Sequence, residues 1–189
     1  GEPSVQSTTP GVWGQIDVEG YGGMMGNSWL DGELTLSGRL VLNSREVVLA
    51  RTGPIARIPQ LAIHLDRDVN PGGLKLDPQK HLHPVWTVDN PYGNVLEYVA
   101  RTAGLDDASQ VAAFDLILTP SQGPGFFGDK GQFIAASRQD NLSSVHPGLV
   151  ALERLAAQGT PAGGDITVFM CFDHEEVGSG SRTGAAGPI

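Results

Sequence analysis

Short runs in which apolar and polar side chains alternate dominate the chain up to about Leu118, and they predict a β-rich first half. Residues 11–19 set Val12, Gly14, Ile16 and Val18 against Trp13, Gln15, Asp17 and Glu19, the pattern of a half-buried strand. Residues 33–42 place Leu34, Leu36, Leu40 and Leu42 on one face, with Gly38 as the expected bulge. Residues 46–50, 61–65 and 114–118 read as three further short strands. One helix interrupts them. Asn90-Pro91-Tyr92-Gly93-Asn94 reads as a turn into a helix over 95–103, where Val95, Leu96, Val99 and Ala100 share a face and Gly104 is the stop.

From Phe133 onward the pattern changes to strand, helix, strand. Residues 132–137 are extended, and a helical stripe follows at Leu142, Val145, Leu149, Leu152 and Leu155. Pro147-Gly148 falls inside that stripe and is expected to kink it or to delay the regular helix to about residue 148. After a loop at 159–164, residues 166–172 form a continuous apolar run of strand length, the mark of a strand buried on both faces. A β-α-β crossover in a parallel sheet is the architecture this order implies, so the fold class is α/β with a mostly β first half.

Composition narrows the partners. With 12 Lys+Arg against 21 Asp+Glu the net charge is −9 and the pI about 4.8, which argues against nucleic acid and anionic membrane surfaces. The run 166–172 is far short of the ~20 apolar residues of a membrane helix. A single cysteine, Cys171, forbids an intrachain disulfide or a cysteine-built zinc site, so a reducing, cytoplasmic compartment and a buried thiol are expected.

Functional groups in an open parallel sheet collect beyond the carboxyl ends of its strands. Asp140 follows the strand ending near Ser137, and Asp173, His174, Glu175 and Glu176 follow the apolar run. Neighbouring parallel strands would bring these carboxylates to one cleft, as an oxygen-donor metal site with one carboxylate acting as base. A helix N-cap at Asp140 and a solvated acidic turn at Glu175-Glu176 explain the same residues and are the commoner arrangement. Other motifs fall away. His174-Glu175 is followed at the required spacing by Gly178, so the helical zinc-protease motif is absent. The glycine string 123–128 leads into a strand, not a helix, and no nucleophile elbow surrounds any serine. His81 and His83 read as exposed strand histidines, and His64 as a core or interface histidine.

Longer strings carry more. Gly20-Tyr21-Gly22-Gly23, Leu34-Thr35-Leu36-Ser37-Gly38-Arg39-Leu40, Ile58-Pro59-Gln60-Leu61-Ala62-Ile63-His64-Leu65, His81-Leu82 and Gln132-Phe133-Ile134 occur in the order found in aspartyl aminopeptidases. So do Arg138-Gln139-Asp140-Asn141-Leu142 and Asp173-His174-Glu175-Glu176-Val177-Gly178-Ser179, and the chain resembles that family from about Gly20 to Gly187. The resemblance implies a two-zinc exopeptidase acting on peptides with acidic N-terminal residues. In it Asp140 bridges two zinc ions, Glu176 ligates one, and Glu175 is the general base. It also implies that His64 reaches the substrate in a neighbouring subunit's active site, within homodimers built into a tetrahedral assembly. Residues 24–112 would be the inserted β-rich dimerisation domain, 1–23 would border the catalytic domain, and 113–189 would be part of it. The family's remaining histidine and aspartate ligands are not on this chain. It therefore reads as an internal fragment, inactive alone, and a non-catalytic oligomerisation module is the alternative. A third reading makes Asp140, Asp173, Glu175 and Glu176 a Mg²⁺ or Ca²⁺ site.

Overall fold

The computed structural model describes residues 13–89, 94–159, 163–172, 175–182 and 184–188. They fall into two compact units, Gly1–Gln122 and Gly123–Ile189. The turn expected at 90–93 and the first two residues of the run 11–19 lie outside the described residues.

The first unit is built on one antiparallel sheet. Its strands are β1 (Trp13–Gln15), β2 (Glu33–Leu42), β3 (Val47–Arg57), β4 (Val85–Val88) and β5 (Val111–Pro120), in the order β1-β4-β3-β2-β5. Two one-turn helices, α1 (Val69–Gly72) and α2 (Pro78–His81), and a longer helix, α3 (Val95–Thr102), complete it. Alternation in β2 delivers Leu34, Leu36 and Leu40 to the core, where Ala50 and Ala56 of β3, Ile16, Ile58, Leu82 and the Val95 and Val99 stripe of α3 meet them. Helix α3 begins as its sequence dictates, with Asn94 Oδ1 accepting the Glu97 N–H at 2.9 Å. It ends at Gly104 (φ +86°), where the Leu105 N–H reaches Ala100 O and the Gly104 N–H reaches Arg101 O, both at 3.0 Å.

Three sequence expectations are corrected here. Gly38 is not a bulge: it pairs in register with Ala50 and Leu116, and the register shifts lie at Leu34–Ser37 and at Val41/Leu42. Its requirement is space, because a Cβ at Gly38 would stand 1.9 Å from the Asp115 carbonyl oxygen. The strand expected over 46–50 runs on to Arg57 and carries Pro54 opposite Thr35. Proline donates nothing to the ladder, and nearby the Leu36 N–H is taken by the buried Thr52 hydroxyl at 3.0 Å, whose own proton goes to Gly53 O at 2.7 Å. The run 61–65 is a turn and not a strand. Leu65 and Asp66 donate to Ala62 O at 2.8 and 3.2 Å, leaving Leu61, Ile63 and Leu65 exposed.

In the second unit, β6 (Gly125–Phe127) and β7 (Phe133–Ala135) form a hairpin, and α4 (Gln139–Ala157) follows. The hairpin closes through Gly128 and Gly131, both at positive φ, with Gln132 accepting the Lys130 N–H and donating to Asp129 Oδ1, each at 3.1 Å. Pro147 neither breaks nor delays α4: the non-helical backbone angles are at Asp140 and Asn141. Gly148 leaves room for the Phe169 ring, which a Cβ there would meet at 2.5 Å. The apolar run 166–172, expected as a strand buried on both faces, forms no strand and pairs with no described strand, and Ile166 is 89% exposed. A strand buried on both faces needs a layer packed against each, and residues 166–172 are exposed instead. Cys171, on that run, is exposed for the same reason. The mixed α/β content stands, with the sheet antiparallel.

Gly38→Ala is expected to lower stability by about 1–3 kcal/mol or more, since β5 must retreat from β2 to admit the methyl group. Urea unfolding of the two chains, compared at their midpoints, checks this; an unchanged midpoint would contradict the close approach of the strands.

Candidate functional site

The acidic residues that the sequence singles out sit on local devices of the second unit. Ile134 in β7 accepts a hydrogen bond from the Gln139 side chain at 3.3 Å, which ties the hairpin to the start of α4. Between them Arg138 adopts a left-handed conformation (φ +59°). Asp140 and Asn141 then leave the helical region (ψ +112° and +23°), so regular helix starts after them. The residue preceding the segment is Arg138, and no side-chain cap hydrogen bond forms there; Asp140, with extended backbone angles (φ −83°, ψ +112°), stands just before the regular helix.

Glu175 and Glu176 lie on a single 3₁₀ turn, Glu175–Val177, closed by the Gly178 N–H on Glu175 O at 2.8 Å. Gly178 takes φ +95°, which explains the glycine after Val177. An open pocket of about 310 Å³ joins these segments. It is lined by Asn141, Ser144 and Val145 from the start of α4, by residues 169–172, and by Glu175, Ser179 and Ala185. Apolar walls with a few converging polar groups are the usual make-up of a ligand pocket. Glu175 and the immediate neighbour of Asp140 therefore border one cavity. Asn141, Ser144 and Ser179 are polar groups of this pocket that the sequence reading did not single out, although Asn141 and Ser179 stand inside the two most specific strings.

The other candidates fall elsewhere. Asp173 and His174 lie outside the described residues. His64 belongs to the first unit and is exposed on the turn after Ile63, not on a strand. His81 is not a strand residue either: it ends α2, where its Nδ1 accepts the Asp77 N–H at 2.9 Å. His83 is half-buried beside it, its Nε2 donating to Gln79 O at 2.8 Å.

Zinc takes carboxylate oxygen alongside imidazole and thiolate, so Asp140 and Glu176 suit it as donors. No three His, Cys, Asp or Glu side chains among the described residues are grouped to hold a metal ion. A catalytic zinc commonly needs three protein ligands, more than Asp140 and Glu176 would supply.

The model of a family described as "Aminopeptidase I zinc metalloprotease (M18)" matches residues 3–189 of the chain. A probable M18 family aminopeptidase 2 of Streptomyces coelicolor is 44% identical over 180 residues, covering 94% of this chain and 41% of the relative. The structure of Ape4 in complex with Nbr1 superposes with a TM-score of 0.82 at 27% identity, covering 98% of this chain and 40% of that one. The S. cerevisiae mApe1 dodecamer shares the fold (TM-score 0.71, 24% identity, 97% of this chain and 42% of that one). The chain thus spans about 41% of the length of the curated relative it matches.

Because Cys171 is exposed, Ellman's reagent is expected to titrate one thiol per native chain without denaturant. Reaction only after unfolding would place the thiol in a core.

Proposed function

The chain belongs to the M18 family of aminopeptidase I zinc metalloproteases, and on that premise we propose that the whole protein is a zinc aminopeptidase releasing N-terminal aspartate or glutamate from peptides. The observation that carries the reading is the pocket bordered both by Glu175 and by Asn141, the neighbour of Asp140 at the start of α4. Zinc, when bound, supplies Lewis-acid polarisation of the scissile carbonyl. Asp140, with two carboxylate oxygens, would hold two ions, and Glu176 would ligate one of them. Glu175 takes the proton of the attacking water on a carboxylate oxygen and returns it to the leaving amine. Glu175 is exposed and lines the pocket.

Residues 24–112 are read as the inserted oligomerisation domain, with 1–23 bordering the catalytic domain and 113–189 belonging to it. His64, exposed in the first unit, is read as reaching a substrate in a neighbouring subunit of a tetrahedral, cytoplasmic assembly. The dodecameric state of a protein of the same fold supports a homo-oligomer.

In the whole protein, Glu175→Gln is expected to lower kcat by about 10²–10⁴-fold while the zinc content, read by mass spectrometry, stays unchanged. Loss of zinc with activity per zinc preserved would exchange the roles of Glu175 and Glu176. The 189-residue chain by itself is expected to show no turnover of aspartyl or glutamyl anilides with added zinc, and weak zinc binding by calorimetry. Turnover by the isolated chain would overturn the ligand assignment.

A further inference from the structure

The turn that carries His64 is tied down at its base by one carboxylate, and we propose that Asp31 is a positioning residue that holds this turn in place. The proposal rests on the reading of His64 given above. Asp31 Oδ1 accepts the Gln60 N–H at 3.1 Å. The Asp31 N–H in turn donates to Ile58 O at 2.9 Å, next to a parallel bridge between Leu30 and Ile58. These contacts fasten residues 58 and 60 to the segment Leu30-Asp31. Ile58 is buried in the core and Pro59 has a fixed φ, so the segment leaves the sheet in a single direction.

Beyond Gln60 the hydrogen bonds of the turn among the described residues are its own, from Leu65 and Asp66 to Ala62 O. Its residues 61–65 are all exposed. The Gln60 amide is therefore the last attachment to the sheet before His64. Asp31 itself adopts φ +60°, a conformation that a short polar side chain tolerates better than most. Arg57 lies nearby, 3.7 Å from Asp31 and 3.0 Å from Glu33, but both pairs are about half exposed and add little. The hydrogen bond to Gln60, rather than charge, fixes the turn.

The test compares Asp31→Gly, Asp31→Asn and Glu33→Gln in the whole protein. Glycine keeps the backbone conformation and deletes the acceptor; asparagine keeps both; Glu33→Gln weakens only the arginine pairing. Amide hydrogen exchange is expected to rise about tenfold at Gln60, Leu65 and Asp66 in Asp31→Gly, with the amides of β2 and α3 unchanged. Asp31→Asn is expected to restore near-native exchange, and Glu33→Gln to leave it native. In turnover, kcat/KM of Asp31→Gly should fall with that of His64→Ala, and the double variant should lose no more than His64→Ala alone. Native exchange at Gln60 in Asp31→Gly overturns the proposal. So does an Asp31→Asn variant as loose as the glycine variant, or a Glu33→Gln variant that loosens the turn. An additive loss in the double variant overturns it as well. Full turnover by His64→Ala would instead sink the reading of His64, leaving the exchange data to decide the role of Asp31.

Discussion

The first unit depends on β2 being paired along both edges at once. Residues 34–41 face β3 on one side and residues 34–42 face β5 on the other, so the same strand sets the register of both neighbours. Gly38 is where the constraint is tightest, since the β5 backbone comes so near that only a hydrogen fits between. The leucines that β2 turns inward, at 34, 36 and 40, then define the surface onto which α3 lays Val95 and Val99. Burying side chains of this size contributes roughly 1.5–3 kcal/mol each. The ion pair that spans the outer face of the same strands, Arg39 with Asp115 at 3.4 Å, is more than half exposed and belongs to a class worth about 0.2–1 kcal/mol.

Polar groups inside this sheet are satisfied one by one, which is why its irregular stretch survives. Pro54 removes a ladder donor from β3, and the register slips on either side of Thr35. The Thr52 hydroxyl accepts the Leu36 amide there, and Thr35 shares a 2.7 Å hydrogen bond with Ser121. An orphaned amide at this depth would cost about 1–3 kcal/mol, comparable to one buried leucine. The Asp31 contact to Gln60 extends the same kind of accounting to the sheet's rim, where it governs a turn instead of a core.

The second unit follows a different economy. Its helix α4 buries no residue, and Phe126, Ile134 and Ile166 are all exposed. What organises it is local: a glycine-closed hairpin, a left-handed Arg138, a helix that starts late and a one-turn acidic segment. Exposed apolar side chains in such number are the raw material of contact faces. The candidate acidic residues lie in this exposed unit, on turns whose shape is set within a few residues.

Signals that act over a few residues were therefore legible in the sequence. The α3 caps at Asn94 and Gly104 and the β2 alternation state their local geometry in adjacent residues. The strings around Asp140 and Glu175 identified the family, because their residue order is specific. What failed were inferences that needed a distant partner. The alternation of Leu61, Ile63 and Leu65 matches a strand, yet no neighbouring strand offers it a ladder, so hydrogen bonds to Ala62 close a turn instead. The apolar run 166–172 has the composition of a doubly buried strand, and burial is a property of what lies beside it. The space demanded at Gly38 is invisible in residues 33–42, because the carbonyl that would collide belongs to Asp115. Periodicity fixes which side chains share a face; only the tertiary structure decides whether anything is there to meet them.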